Sequence, residues 1–264
     1  MGLTMEKTLL HLFDLTGKAA IVTGVSRGLG VSFARGLAKA GCDLAICART
    51  GDELGQMARE LETFGHKVIA IRADVSHLAD VENLVNETLK QLGKVDILVN
   101  NAGISAVADA EQMTLEQWQR VIDTNLTGVF FCCQSVGRAM LKQGHGKIIN
   151  IASMYAISAG NYVSLASYVA SKSGVMGLTR QLAVEWAPRG LNVVALAPGF
   201  FWSEQTNWAF QPGNELGEKL LARVPMKRIG APEELEGTIV YLASQASNYM
   251  NGQALVLDGG FLSL

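Results

Sequence analysis

Thr23-Gly24-Val25-Ser26-Arg27-Gly28-Leu29-Gly30 stands between an apolar run, Ala19 to Val22, and an amphipathic one carrying Val31, Phe33, Ala34, Leu37 and Ala38. The first run predicts a strand, the second a helix, and the glycines a tight turn between them. Glycine suits such a turn because a side chain would hold a pyrophosphate away from main-chain N–H groups and the positive helix N-terminus. The Gly-x3-Gly-x-Gly spacing is a relative of the commoner Gly-x-Gly-x2-Gly dinucleotide pattern. A glycine-rich strand-to-helix turn can also be purely structural, so the rest of the chain has to decide.

Outward from this turn, apolar runs of strand length alternate with helical periodicities. Strands are predicted at Ala19–Thr23, Asp43–Cys47, Val68–Arg72, Ile97–Val99, Lys147–Ile151, Asn192–Leu196 and Ala254–Leu257, and helices at about 28–40, 52–64, 78–92, 115–142, 168–187 and 232–243. The alternation predicts an α/β fold with a mainly parallel sheet and helices on both faces. Right-handed crossovers narrow it to a doubly wound, Rossmann-like three-layer sandwich. Ligands in such sheets bind beyond the carboxyl ends of the strands, which makes the residues after each strand the ones to read.

No linker, charge block or repeat divides the 264 residues, so a single domain spanning 1–264 is expected, with an N-terminal extension at 1–14. From Gly199 to about Arg228 no clear strand or helix is visible, and the region carries Phe200, Phe201, Trp202, Trp208, Phe210, Pro212 and Pro225. Its length predicts a substrate lid at about 199–228; the other reading is ordinary aromatic packing.

The net charge is −2 and no basic run occurs, which argues against nucleic acid or an anionic membrane surface as the partner. Apolar residues make up 49% of the chain, yet no uninterrupted stretch reaches the ~18 residues of a membrane span. Met1 to Lys7 lack a charged n-region, so no signal peptide is expected. Cysteines at 42, 47, 132 and 133 have no C-x2-C spacing, and the four histidines are scattered singly. Neither a metal site nor a disulfide framework is indicated, and a reduced, cytoplasmic setting is the expectation.

The strand ends form a consistent set. Ala48-Arg49 follows the second strand, where a dinucleotide fold meets the adenosine ribose. A carboxylate there would repel a 2′-phosphate; instead Arg49 and Arg27 can neutralise one, unless both are simply solvated. The pair favours NADP(H), with NAD as the alternative. Asp74, with Val75 beside it, follows the third strand and can accept a hydrogen bond from an adenine amino group. Asn100-Asn101-Ala102-Gly103 follows the fourth as a small, polar turn able to pass under a cofactor, although asparagine is also a common turn former. Ser153 follows the fifth strand, and Tyr168 and Lys172 share a helix face four residues apart. A cation near the phenol, helped by an oxidised nicotinamide, would lower a tyrosine pKa that is ordinarily about 10. Ser153 can then hold an oxygen on which charge develops.

These residues together resemble the short-chain dehydrogenase/reductases, the single-domain branch with the Thr-Gly-x3-Gly-x-Gly turn. The likeness runs from about residue 15 to 262 and rests on Thr23-Gly24-x3-Gly28-x-Gly30, Asp74, Asn100-Asn101-Ala102-Gly103, Asn125, Ser153, Tyr168-x3-Lys172, Pro198-Gly199 and Asp258-Gly259-Gly260. The resemblance implies that Tyr168 is general acid in reduction and base in oxidation. It implies that Lys172 binds the nicotinamide ribose and depresses the tyrosine pKa, that Ser153 orients the carbonyl or hydroxyl, and that Asn125 holds a water of a proton relay. Expected cofactor contacts are Gly24, Ser26, Arg27, Gly28, Leu29, Gly30, Arg49, Asp74, Val75, Asn101, Ala102, Gly103, Tyr168, Lys172, Pro198, Gly199, Phe201 and Ser203. Expected substrate contacts are Ser105, Met154, Tyr155, Tyr162, Trp202 and Trp208. The chain departs from many members in its fifteen-residue interval from Ser153 to Tyr168, where thirteen is common, in Val25 within the turn, and in Ser203 where a threonine often stands.

The implied activity is NADP(H)-dependent interconversion of a secondary alcohol and a ketone. Within the family the chain looks most similar to sugar-acid enzymes such as gluconate 5-dehydrogenases, and next to 3-oxoacyl-carrier-protein reductases. The latter often carry a basic residue where Gly144 stands, and Arg189 replaces that charge only in part. A non-catalytic cofactor-binding regulator would have lost Ser153, Tyr168 or Lys172, and all three are present. Members commonly form tetramers through the helices after the fourth and fifth strands. Here those helices carry Val129, Phe130, Val136, Val175, Met176 and Leu182, more apolar residues than one buried stripe requires, so a homotetramer is expected.

Overall fold

The computed structural model describes residues 9–160, 162–204 and 206–264. Seven parallel strands form one sheet: β1 (Ala19–Thr23), β2 (Asp43–Ala48), β3 (Val68–Arg72), β4 (Ile97–Asn100), β5 (Gly146–Ile151), β6 (Leu191–Pro198) and β7 (Ala254–Leu257). Their order across the sheet is β3-β2-β1-β4-β5-β6-β7. The chain winds outward from β1 to β3, then returns to lay β4 against the other side of β1. The sandwich is therefore doubly wound, with its topological switch point between β1 and β4.

Both faces of the sheet are covered, which explains why the strands read as near-continuous apolar runs. Side chains alternate between two cores. Ala20, Val22, Leu44 and Ile46 join one with Phe33 and Leu37 of α1 (Leu29–Lys39), Leu54 and Leu61 of α2 (Gly51–Glu62) and Ile239 of α8 (Glu234–Ala243). Ile21, Ala45 and Cys47 join the other with Leu84 of α3 (Leu78–Leu92), Val136 of α5 (Gly128–Gln143) and Val175 of α6 (Ala166–Trp186). The four cysteines are free thiols buried in these layers. Burial pushes Cys47 and Cys133 each up to about 12, so neither is poised as a thiolate. Among the described residues no helix is long and apolar enough to cross a membrane.

The single helix expected at 115–142 is in fact α4 (Leu115–Ile122), a π-helical turn (Asp123–Thr127) and α5. A helical period cannot distinguish a π turn from α, because only the register of backbone bonds changes. Thr114 and Gln117 start α4 with a reciprocal capping box. Gly128 opens α5 where a Cβ would stand 2.9 Å from the Val75 backbone oxygen, so the helix packs directly on the turn that follows β3.

Two expectations are corrected. The region 199–228 contains a helix, α7 (Glu215–Ala222), whose Asn214 carboxamide accepts from the N–H groups of Leu216 and Gly217. The apolar excess attributed to the long helices is mostly internal: Val129, Val136, Val175 and Leu182 are core residues of their own chain, whereas Phe130 is 41% exposed. Residues 1–8 of the expected extension lie outside the described residues, and Leu9–Phe13 form a 3-10 turn.

α1 meets α8 at Gly36, where a Cβ would stand 2.9 Å from the backbone oxygen of Glu236. Gly36→Val is therefore expected to force the two helices apart and cost about 1–3 kcal/mol despite its better helix propensity. A urea-unfolding midpoint equal to wild type would show that the interface yields freely.

Candidate active site

An open cleft of about 330 Å³ lies at the carboxyl ends of the strands, beside the switch point. Its first wall is the glycine turn. Gly24 and Gly28 have φ of 71° and 68°, a region that favours glycine. Gly24 also lets the β4 loop approach: a Cβ there would stand 2.8 Å from Ala102 Cα. Gly30 has a packing role instead, since its Cβ would collide with the Gly24 carbonyl, and it does not line the cleft. α1 starts with no side chain capping its N-terminus, leaving its first N–H groups directed at the cleft. That is the donor set an anionic pyrophosphate needs, so the residues present fit a dinucleotide.

At the end of β2 the cleft is lined by Arg49 and Thr50. No acid stands at 48–50, but Glu53, in the first turn of α2, also lines this end, a carboxylate that reading the strand end alone missed. Asp74 and Val75 are outside the lining. Asp74 accepts from the backbone and hydroxyl of Ser76; burial would raise its carboxyl, but these bonds and nearby Arg49 outweigh that and hold it below the ordinary value. Val75 is buried beneath α5.

The floor is formed by Asn101 to Ile104, by Ile151 to Ser153, and by Tyr168 and Lys172 from the first turns of α6. Lys172 is 4% exposed and donates to the Ile151 carbonyl at 2.6 Å. Burial pulls its pKa down to about 8. Its ammonium lies 5.8 Å from the centre of the Tyr168 ring. Burial pushes the Tyr168 phenol above its ordinary value, and hydrogen bonding with Ser153 draws it only partly back. Burial thus outweighs the lowering influences on Tyr168, while the Lys172 ammonium is engaged by the Ile151 carbonyl.

Asn125 projects from the π turn. Its oxygen accepts from the Ile104 N–H at 2.8 Å, and its amide donates to the Ile104 carbonyl and to Ser171 Oγ. A methyl group on Gly103 would stand 3.4 Å from Asn125 Oδ1 and 3.5 Å from Lys172 Nζ, so the three residues converge. The π turn thereby fixes the 103–104 loop against the lysine.

Pro198, Gly199, Phe201, Ser203, Glu204 and Thr206 close the far side. Thr206 and Glu204 were not anticipated. The three-residue spacing of Ser203 and Thr206 was the available signal, since Thr206 Oγ1 accepts from the Ser203 N–H and donates to the Phe201 carbonyl.

None of the six expected substrate contacts lines this cleft. Met154 and Tyr155 are buried with Val224 and Phe261, because a 3-10 turn capped by Ser153 rolls them inward. Ser105, Tyr162, Trp202 and Trp208 are exposed. The aromatics of 199–228 divide: Phe200 stacks edge-on to Phe210 and Phe261, and Trp202, though 41% exposed, also meets Phe210 edge-on, which is ordinary packing, while Trp208 is exposed.

The short chain dehydrogenase family model matches residues 18–211, and the chain belongs to this family. It is 42% identical over 256 residues to a 2-dehydro-3-deoxy-D-gluconate 5-dehydrogenase of Dickeya dadantii, covering 97% of this chain and 99% of that one. It is 41% identical over 250 residues to a 3-oxoacyl-[acyl-carrier-protein] reductase of Synechocystis, covering 94% and 98%. A gluconate 5-dehydrogenase of Burkholderia cenocepacia, crystallised with NADP and tartrate, superposes with a TM-score of 0.92 at 37% identity, covering 97% and 100%. The protein is thus a dehydrogenase by family.

The burial of Lys172 gives a stability prediction. At pH 7 the folded and unfolded chains both carry its proton, so the burial penalty is present in full. Between about 8 and the ordinary 10.5 only the unfolded chain keeps it, and the wild type gains stability as pH rises through that window. The stability of Lys172→Met relative to wild type should therefore fall by on the order of 1–3 kcal/mol from pH 7 to pH 10. Urea titrations at the two pH values check this, and a constant difference would contradict it.

Proposed function

We propose that the protein is an NADP(H)-dependent oxidoreductase that interconverts a secondary alcohol and a ketone on a sugar acid. The observation that carries this reading is the convergence of Ser153, Tyr168 and Lys172 on the floor of a cleft whose opposite wall is the glycine turn. Arg27 and Arg49, both in the lining, are suited to a 2′-phosphate, and the uncapped start of α1 to the pyrophosphate. The sugar-acid assignment draws on the names of the Dickeya and Burkholderia relatives.

In ketone reduction Ser153 Oγ donates to the substrate oxygen and orients it as negative charge accumulates. Tyr168 gives its phenolic proton to that oxygen, and burial suits it to hold the proton until then. The Lys172 ammonium returns a proton to the Tyr168 phenolate and is itself reprotonated from solvent through a water that Asn125 would hold. When bound, the cofactor supplies or accepts the hydride and, oxidised, adds a positive charge that favours the phenolate. Segment 199–228, in this reading, is the lid that excludes water from the closed site.

Tyr168→Phe keeps the ring and loses the proton. It is expected to lower turnover by at least about a hundredfold with NADPH affinity nearly unchanged. The same assay, run with keto-sugar acids and 3-oxoacyl thioesters, tests the substrate class. Higher kcat/KM for the thioesters would transfer the assignment to the reductase reading that the Synechocystis relative represents.

We further propose a cytoplasmic homotetramer. Its support is the apolar surface left on the helices: Leu115 and Trp118 on α4, Phe130 on α5 and Val184 on α6 are all exposed. Light scattering should return four chains, and Phe130→Glu should shift it to smaller species; a wild-type monomer would refute the assembly.

A further inference from the structure

The start of the 199–228 segment lies over the glycine turn. Ser203 Cβ is 3.9 Å from the point a methyl on Gly28 would occupy, and the next residue, Glu204, forms an ion pair with Arg27 at 3.3 Å. Arg27 and Glu204 both line the cleft, from opposite sides. The presenting turn is well held: Asn207 N–H donates to the Ser203 carbonyl, and Thr206 Oγ1 to that of Phe201. Its base is held too, with Trp202 N–H on the Gly230 carbonyl and Gly230 N–H on that of Phe200. Glu204 thus stands beside these bonded residues and reaches one of the two arginines suited to a cofactor phosphate.

We propose that Glu204 is a built-in competitor for the phosphate of NADP(H), holding Arg27 in the free enzyme and being displaced when the cofactor binds, so that it sets cofactor affinity and selectivity. This rests on the NADP(H) reading above. Arg27 and Glu204 are each 64% exposed, and an exposed pair of this kind is weak and screened by salt. A phosphate dianion offers the guanidinium more charge and a fork of acceptors, so it wins the exchange. The displaced carboxylate is then repelled by the phosphate that replaced it, which turns the Glu204 side chain away from Arg27.

The test is Glu204→Gln, studied without substrate. Titration by tryptophan fluorescence at low salt is expected to show NADPH binding tightened about three- to fivefold and NADH less, the gap closing near 0.5 M salt. Introduced into Arg27→Ala, the same change should tighten NADPH binding less than it does in the wild-type background, because only the direct repulsion between Glu204 and the phosphate is then removed. Hydrogen exchange of the cofactor-free proteins provides an arm independent of any nucleotide: amides of 206–222 should exchange faster in Glu204→Gln than in wild type. Weaker NADPH binding by Glu204→Gln would make Glu204 a strap over bound cofactor and overturn the proposal, as would unchanged exchange. A wild type that binds NADH but not NADPH would defeat the cofactor reading, while the exchange measurement would still decide whether the latch exists.

Discussion

The structure depends on one junction, the place where the sheet changes winding direction and β1 must be joined to the loop after β4. Thr23 Oγ1 accepts from the N–H groups of both Asn101 and Ala102 at 3.0 Å, and the Asn101 amide donates to the carbonyls of Thr23 and Gly24 at 2.9 Å. These bonds satisfy backbone groups that parallel strands leave unpaired at their ends, which would otherwise be buried at a cost of about 1–3 kcal/mol each. They also bring the two loops so close that only glycine is tolerated at 24 and 30. The same closeness creates the cleft: the glycine turn and the catalytic floor are the two sides of this joint.

Behind the joint, a buried polar ladder carries the alignment into the helices. The Asn100 amide donates to Asn150 Oδ1 at 2.8 Å, linking β4 to β5, and Asn150 donates to Thr179 Oγ1 at 3.0 Å, linking β5 to α6. α6 is the helix that presents Tyr168 and Lys172, so its rotation about its axis is set by side-chain bonds as well as by packing. Lys172 on the Ile151 carbonyl and Asn125 on Ile104 fix the positions of these side chains through the protein's own bonds. The consequence is electrostatic: groups held in place by burial carry shifted proton affinities, lysine downward and tyrosine upward.

The strands, the order of elements and most of the residues that line the cleft were legible because apolar runs of strand length, glycine spacing and strand-end position are local signals read one element at a time. The π turn was invisible, since Asn125 sits in a stretch whose helical period is unbroken. α7 was missed although Asn214 before Glu215 is a recognisable cap, because the surrounding prolines and aromatics read as loop. The expected substrate contacts lie outside the cleft lining for a different reason. Met154 and Tyr155 follow Ser153 directly, but whether such residues face a cleft or a core is decided by the roll of one 3-10 turn and by distant partners such as Phe261. Glu53 and Glu204 are also products of tertiary placement, each reaching the cleft from a segment that carries no motif.

The parallel bridge between Phe201 and Gly230 has a consequence for how such a chain can diverge. Because the two ends of the segment are tied to each other, residues between them can be lengthened, shortened or replaced without the strain passing into the sheet. In the reading proposed above, the oxidoreductive chemistry belongs to the rigid frame and the choice of molecule acted on to this tied loop, so the loop can change while the frame is kept.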